Sequence, residues 1–141
     1  MFFGEHVYKI DEKGRVPLPP KFRREMRDSV VLTKGRDKCI TLYPATEWKR
    51  VADELSSKAV TSADLRKVNR AIFGTAFSTM FDKQGRIPLP LPLRVYAEIG
   101  DTVVVVGVNQ TVELWNEELW KTEKAKAEEE AEQILESLGG S

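Results

Sequence analysis

Asp11-Glu12-Lys13-Gly14-Arg15-Val16-Pro17-Leu18-Pro19 returns seventy-one positions later as Asp82-Lys83-Gln84-Gly85-Arg86-Ile87-Pro88-Leu89-Pro90, with Asp, Gly, Arg, a β-branched residue, Pro, Leu and Pro in the same order. One inserted residue later, Ile40-x-Leu42-Tyr43 with Trp48 is repeated as Val112-x-Leu114-Trp115 with Trp120. The chain is one unit written twice. Each copy presents one arginine just after a glycine turn, so a ligand is met by two equivalent surfaces, centred on Arg15 and Arg86.

Working outward, His6 to Ile10 alternates as a short strand, and Asp11 to Gly14 has the Asp-first, Gly-fourth pattern of a type I turn. Arg15 to Leu18 resumes extended, and because proline gives no N–H to a sheet ladder, Pro17 and Pro88 indicate edges or strand ends. Pro19-Pro20 suits the first turn of a short helix running to Met26, and in the second copy Pro92 to Ala97 takes that part, stopped near Gly100. Val30 to Thr33 and Cys39 to Tyr43 form a hairpin, repeated by Thr102 to Val106 and Thr111 to Trp115 across Gly107 to Gln110. Apolar residues at helical spacing predict a helix at Trp48, Val51, Ala52 and Leu55, and another at Leu65, Val68 and Ile72. Glu117 to Leu138 is Gly-free and rich in Ala, Glu and Lys, a long final helix.

The expected organisation is a first unit at 5–47, a helical linker at 48–75, a second unit at 76–119 and an acidic helical tail at 120–141. So few short strands per copy leave long edges unpaired. The expected fold is therefore mainly β, a small pseudo-symmetric barrel in which the two units exchange hairpins, with flanking helices. Units of this size fold poorly alone, so each half needs the other.

Composition narrows the function. No apolar run approaches the roughly 20 residues that cross a bilayer, and the start lacks the basic and apolar regions of a secretory signal, so a cytoplasmic location is expected. The net charge of zero hides an asymmetry: residues 1–50 carry +5, residues 51–94 carry +3, and residues 95–141 carry −8. That division suits a cationic surface for a polyanion with an acidic tail elsewhere. The single cysteine, Cys39, reads as a small buried hydrophobe. His6 is the sole histidine, and no nucleophile motif, metal-ligand cluster or phosphate-binding glycine loop accompanies it, so neither an enzyme nor a metal or cofactor is expected, nor a small-molecule substrate.

Asp11 and Asp82 read first as turn residues, with Gly14 and Gly85 supplying the backbone freedom at the turn's end. The arginines have two readings. One is an ion pair with the preceding Asp. The other is contact with double-stranded DNA, whose phosphates and guanine edges match a guanidinium fork and whose major groove admits a β-ribbon. An exposed ion pair contributes only about 0–1 kcal/mol, a weak reason to require arginine, so the DNA reading ranks first. Lys9, Lys13, Lys21, Arg23, Arg24 and Arg27 surround the first motif and Lys83 and Arg94 the second, as candidate phosphate contacts. Lys13, Lys21 and Arg24 become Gln84, Pro92 and Val95, which gives the first copy the stronger grip.

The doubled Asp-x-x-x-Arg, the opening Met1-Phe2-x-Gly4, Leu42-Tyr43-Pro44 with Trp48, and Gly107 ahead of Glu113-Leu114-Trp115 together resemble the MraZ family, from residue 1 to about 120. The resemblance implies a bacterial, nucleoid-associated transcriptional regulator with two AbrB-like swapped-hairpin units. It implies ring-like homo-oligomers that bind short direct repeats of promoter DNA ahead of their own operon in the division and cell wall cluster, mainly as repressors. Arg15 and Arg86 then carry over as DNA-contacting positions, with Asp11 and Asp82 as their motif partners. The acidic tail maps to no function of the family. Two other classes compete: an interaction scaffold that binds a protein partner through that tail, and an antitoxin-like promoter binder, which the structured double repeat disfavours.

Overall fold

The computed structural model describes residues 1–27, 29–58 and 61–139. In chain order the elements are β1 (Phe2–Lys9), β2 (Arg15–Pro17), α1 (Pro20–Met26), β3 (Ser29–Lys34), β4 (Ile40–Pro44), α2 (Ala45–Ser57) and α3 (Ser62–Ile72). The second copy supplies β5 (Phe77–Met80), β6 (Arg86–Pro88), α4 (Leu91–Tyr96), β7 (Thr102–Asn109), β8 (Val112–Trp115) and α5 (Glu117–Ser137).

The exchange of strands between copies is present. β1 of the first copy pairs with β7 of the second, β5 of the second pairs with β3 of the first, and β2 pairs with β6. β4 and β8 meet at the middle, giving a six-stranded antiparallel sheet ordered β1-β7-β8-β4-β3-β5 beside the two-stranded ribbon. The expected closed barrel does not form: the large sheet is open, with β1 and β5 as its edges. Pro17 and Pro88 explain part of this, because each ribbon strand ends on a residue with no N–H to carry its pairing onward.

Three boundaries also differ from expectation. β1 begins at Phe2 instead of His6, because β7 extends to Asn109 and pairs with it throughout. The hairpin from β7 to β8 consequently turns at Gln110 and Thr111 instead of 107–110. Gly107 lies inside the strand, where a Cβ would run into the backbone of Phe2 and Phe3, so glycine is required by the close approach of β1. Finally, α4 stops before Gly100: Glu98 turns left-handed at φ 54° and the Ile99 N–H bonds back to the Arg94 carbonyl. Arg27, the residue after α1, likewise has a positive φ, 63°, and its N–H bonds the Arg23 carbonyl at 3.0 Å.

One apolar core serves both copies. Val16, Leu18 and Phe22 pack in the same cluster as their counterparts Ile87, Leu89 and Leu93. At roughly 1.5–3 kcal/mol for each large side chain fully buried, neither half retains its core without the other. A satellite cluster of Cys39, Val104, Val106 and Trp115 lies on the outer face of the sheet, covered by Leu119 and Trp120 of α5. No helix among the described residues is long and apolar enough to cross a membrane.

Candidate nucleic-acid interface

The Asp11 carbonyl accepts the Gly14 N–H at 3.0 Å, which closes the first turn. Its carboxylate does the rest: one oxygen accepts the N–H groups of Lys13 and Arg15, both at 2.9 Å, and the other accepts Arg15 Nε at 2.8 Å. Asp82 repeats the pattern on Gly85, Gln84 and Arg86, with Arg86 Nε at 3.0 Å. Gly14 and Gly85 adopt φ of 75° and 76°, the left-handed conformation in which a Cβ is strained.

Because β2 and β6 pair antiparallel, with Arg15 opposite Pro88 and Pro17 opposite Arg86, the two turns lie side by side. Each arginine reaches the other copy's aspartate as well as its own: Arg86 Nη1 is 3.2 Å from Asp11 Oδ2 and Arg15 Nη1 is 3.7 Å from Asp82 Oδ2. The result is a half-buried tetrad of two guanidiniums and two carboxylates related by the internal pseudo-twofold. Nη2 of neither arginine has a hydrogen-bond partner among the described residues. The backbone N–H of Arg15, and then its side chain, hold the Asp11 carboxyl below its ordinary range against the opposing effect of burial. The N–H of Arg86 does the same for Asp82. The tetrad itself is thus neutral, and the positive charge of this face comes from its surroundings.

Those surroundings are crossed between copies. Arg23 of the first copy lies against Gly85 of the second turn, where its guanidinium fills the space a Cβ would take. Arg94 of the second copy lies against Gly14, with Nη1 3.1 Å from the corresponding position. Arg23 Nε donates to the Leu18 carbonyl at 3.3 Å and Arg94 Nη2 to the Gly100 carbonyl at 2.8 Å. The backbone is crossed too: the Leu89 N–H bonds the Gly14 carbonyl at 2.9 Å and the Leu18 N–H the Gly85 carbonyl at 3.4 Å. Each turn is therefore completed by the other copy. Arg94, placed by sequence beside the second motif, belongs in space to the first; the matching offset of Arg23 and Arg94 was the available signal.

Lys13 and Lys83 stand exposed on the turns, and Lys9 is exposed at the adjoining end of β1. Lys21 and Arg24 are elsewhere: they line a groove beside β1, with Lys21 Nζ 5.5 Å above the Phe3 ring. His6 lies between Tyr8 and Phe22 as an aromatic packing residue. Cys39 is buried, and burial pushes its thiol up to about 12.

The family model described as "MraZ protein, putative antitoxin-like" matches this chain twice, over residues 1–71 and 72–138. This chain belongs to the MraZ family. A relative from Dehalococcoides mccartyi strain 195 is 48% identical over 141 residues, covering 99% of both chains. One from Syntrophomonas wolfei is 44% identical over 98% of this chain and 96% of its own length, and one from Halothermothrix orenii is 42% identical over 99% of each. All three bear the name transcriptional regulator MraZ. The twofold match of the MraZ model divides the chain at the end of α3, between the two copies of the turn.

Proposed function

We propose that this protein is a DNA-binding regulator of transcription in which the paired turns of β2 and β6 meet double-stranded DNA. The observation that carries this reading is the tetrad: two arginines held at fixed orientation by aspartates, side by side on a two-stranded ribbon, each keeping Nη2 for a ligand. A guanidinium oriented in this way loses little freedom on meeting a guanine edge or a phosphate. Arg15 and Arg86 are the contacts at the centre, Lys9, Lys13 and Arg23 grip phosphates around them, and Lys21 and Arg24 extend the basic surface along α1.

The protein acts on short direct repeats ahead of its own operon, in the division and cell wall cluster, as a repressor assembled into a ring. A head-to-tail ring repeats one orientation, which suits direct repeats, and tethered subunits bind together more tightly than each alone. The test is fluorescence anisotropy against duplex DNA from upstream of the protein's own gene and a scrambled duplex. Preference for the native duplex, weakening steeply as salt is raised, is the expected result; equal or absent binding removes the reading.

A further inference from the structure

The eleven large apolar side chains exposed among the described residues lie at two places, the opposite edges of the sheet or the elements flanking them. At the β1 edge these are Met1, Phe3, Val7 and, paired with Phe3, Val108. Three more, Ile134, Leu135 and Leu138, are on α5. At the β5 edge they are Phe77 and Met80 of the strand, with Leu91 and Val95 of α4, which packs on the neighbouring β3.

α5 belongs with the first group. It leaves β8, lays Leu119 and Trp120 over Val104 and Val106 of β7, and reaches Glu5 of β1, which takes Trp120 Nε1 at 3.3 Å and Lys124 Nζ at 3.1 Å. The helix thus crosses the sheet toward its β1 edge. From Ala125 to Gly139 every residue is exposed, so a segment about 20 Å long overhangs that edge. Trp120, Lys124, Ala127, Ala131, Ile134 and Leu138 recur at alternating spacings of four and three, one continuous helix face. The stripe that meets the body therefore runs on past it with nothing beneath. Residues 126–138 carry five glutamates against one lysine.

The opposite edge complements this in charge as well as in polarity. The segment 66–83, which contains the end of α3 and all of β5, carries Arg66, Lys67, Arg70 and Lys83 against the single carboxylate Asp82, itself engaged by Arg86. We infer that α5 is an intersubunit strap: its overhang docks on the β5 and α4 edge of a second copy of this chain. Such a contact joins unlike surfaces, so it propagates head to tail. The inference rests on the ring reading and assigns its contact.

The test is sedimentation of the full-length protein without DNA. Wild type should sediment as an oligomer, whereas an I134E/L138E variant on the strap and an L91E/V95E variant on the opposite edge should each fall toward the 16.0 kDa monomer. All four positions are exposed, and circular dichroism checks that the variants stay folded. Mixed in equal amounts, the two variants retain one intact half-interface each, and should form a 1:1 dimer that grows no further. A monomeric wild type removes the ring reading. An oligomeric wild type that the strap variant leaves unchanged, or variants that fail to pair when mixed, removes the strap alone.

Discussion

The two copies agree where they turn and differ in what surrounds the turn. Asp11 and Asp82 hold their arginines with nearly the same bonds, 2.8 and 3.0 Å, and Gly14 and Gly85 differ by one degree in φ. Beyond this constant centre, Lys13 on the turn and Lys21 and Arg24 in the groove beside β1 stand where the second copy has Gln84, Pro92 and Val95. At these positions the first copy is charged and the second is apolar or uncharged, with Leu91 and Val95 of the second copy exposed. Duplication inside one chain thus permits a division of labour that a symmetric homodimer forbids. Under the function proposed above, one copy carries more of the charge that would meet DNA and the other the apolar surface that would meet a neighbour, while the shared tetrad keeps them in register.

Four experiments break or sharpen that comparison, in descending order of effect. Gly85→Ala forces a Cβ into both a left-handed backbone and the Arg23 guanidinium, and should cost about 2–3 kcal/mol in urea denaturation; Gly14→Ala, where Arg94 lies at 3.1 Å, should cost roughly 1 kcal/mol. Equal losses would mean the crossed arginines do not distinguish the turns. Arg15→Ala and Arg86→Ala should each weaken operator binding about 10- to 100-fold in anisotropy titrations, and by similar factors, because the crossed surroundings give each turn one arginine from the other copy.

The third concerns acid. Both aspartates are held below the ordinary 3.8, so the stability they give is complete at neutral pH, begins to decline near the ordinary value, and is lost as pH falls through their folded values. Asp11 takes its cross-copy arginine at 3.2 Å against 3.7 Å for Asp82, so Asp11→Asn should reduce the acid sensitivity of unfolding more than Asp82→Asn. The smallest effect is electrostatic: Lys13→Gln should lower the salt slope of DNA binding by about one and Gln84→Lys raise it by about one, moving each copy toward the other.

Much of this was legible in the chain. The nine-residue repeat located both turns, both arginines and the interleaving of copies, because Asp, Gly and Pro have turn and edge chemistry that acts within a few residues. Sheet closure was not legible, since whether β1 and β5 meet depends on the twist and length of six strands. The crossing of Arg23 and Arg94 was signalled only by their matching offset, since it follows from the antiparallel pairing of β2 with β6 and from no local pattern. The early start of β1 was missed for a related reason: Phe2 to Glu5 alternate poorly and are held extended by β7, about a hundred residues away.

That last pairing has a consequence for how the protein is made. Lys9 and Asn109, at the two ends of the β1 and β7 ladder, are separated by 100 residues of synthesis, about 5–20 s at ~5–20 residues per second. For that interval β1 has no partner, and the first copy's β3 likewise waits for β5. The N-terminal half is therefore an unfinished edge until its twin emerges. Birth of the molecule is a single late event in which both copies mature together.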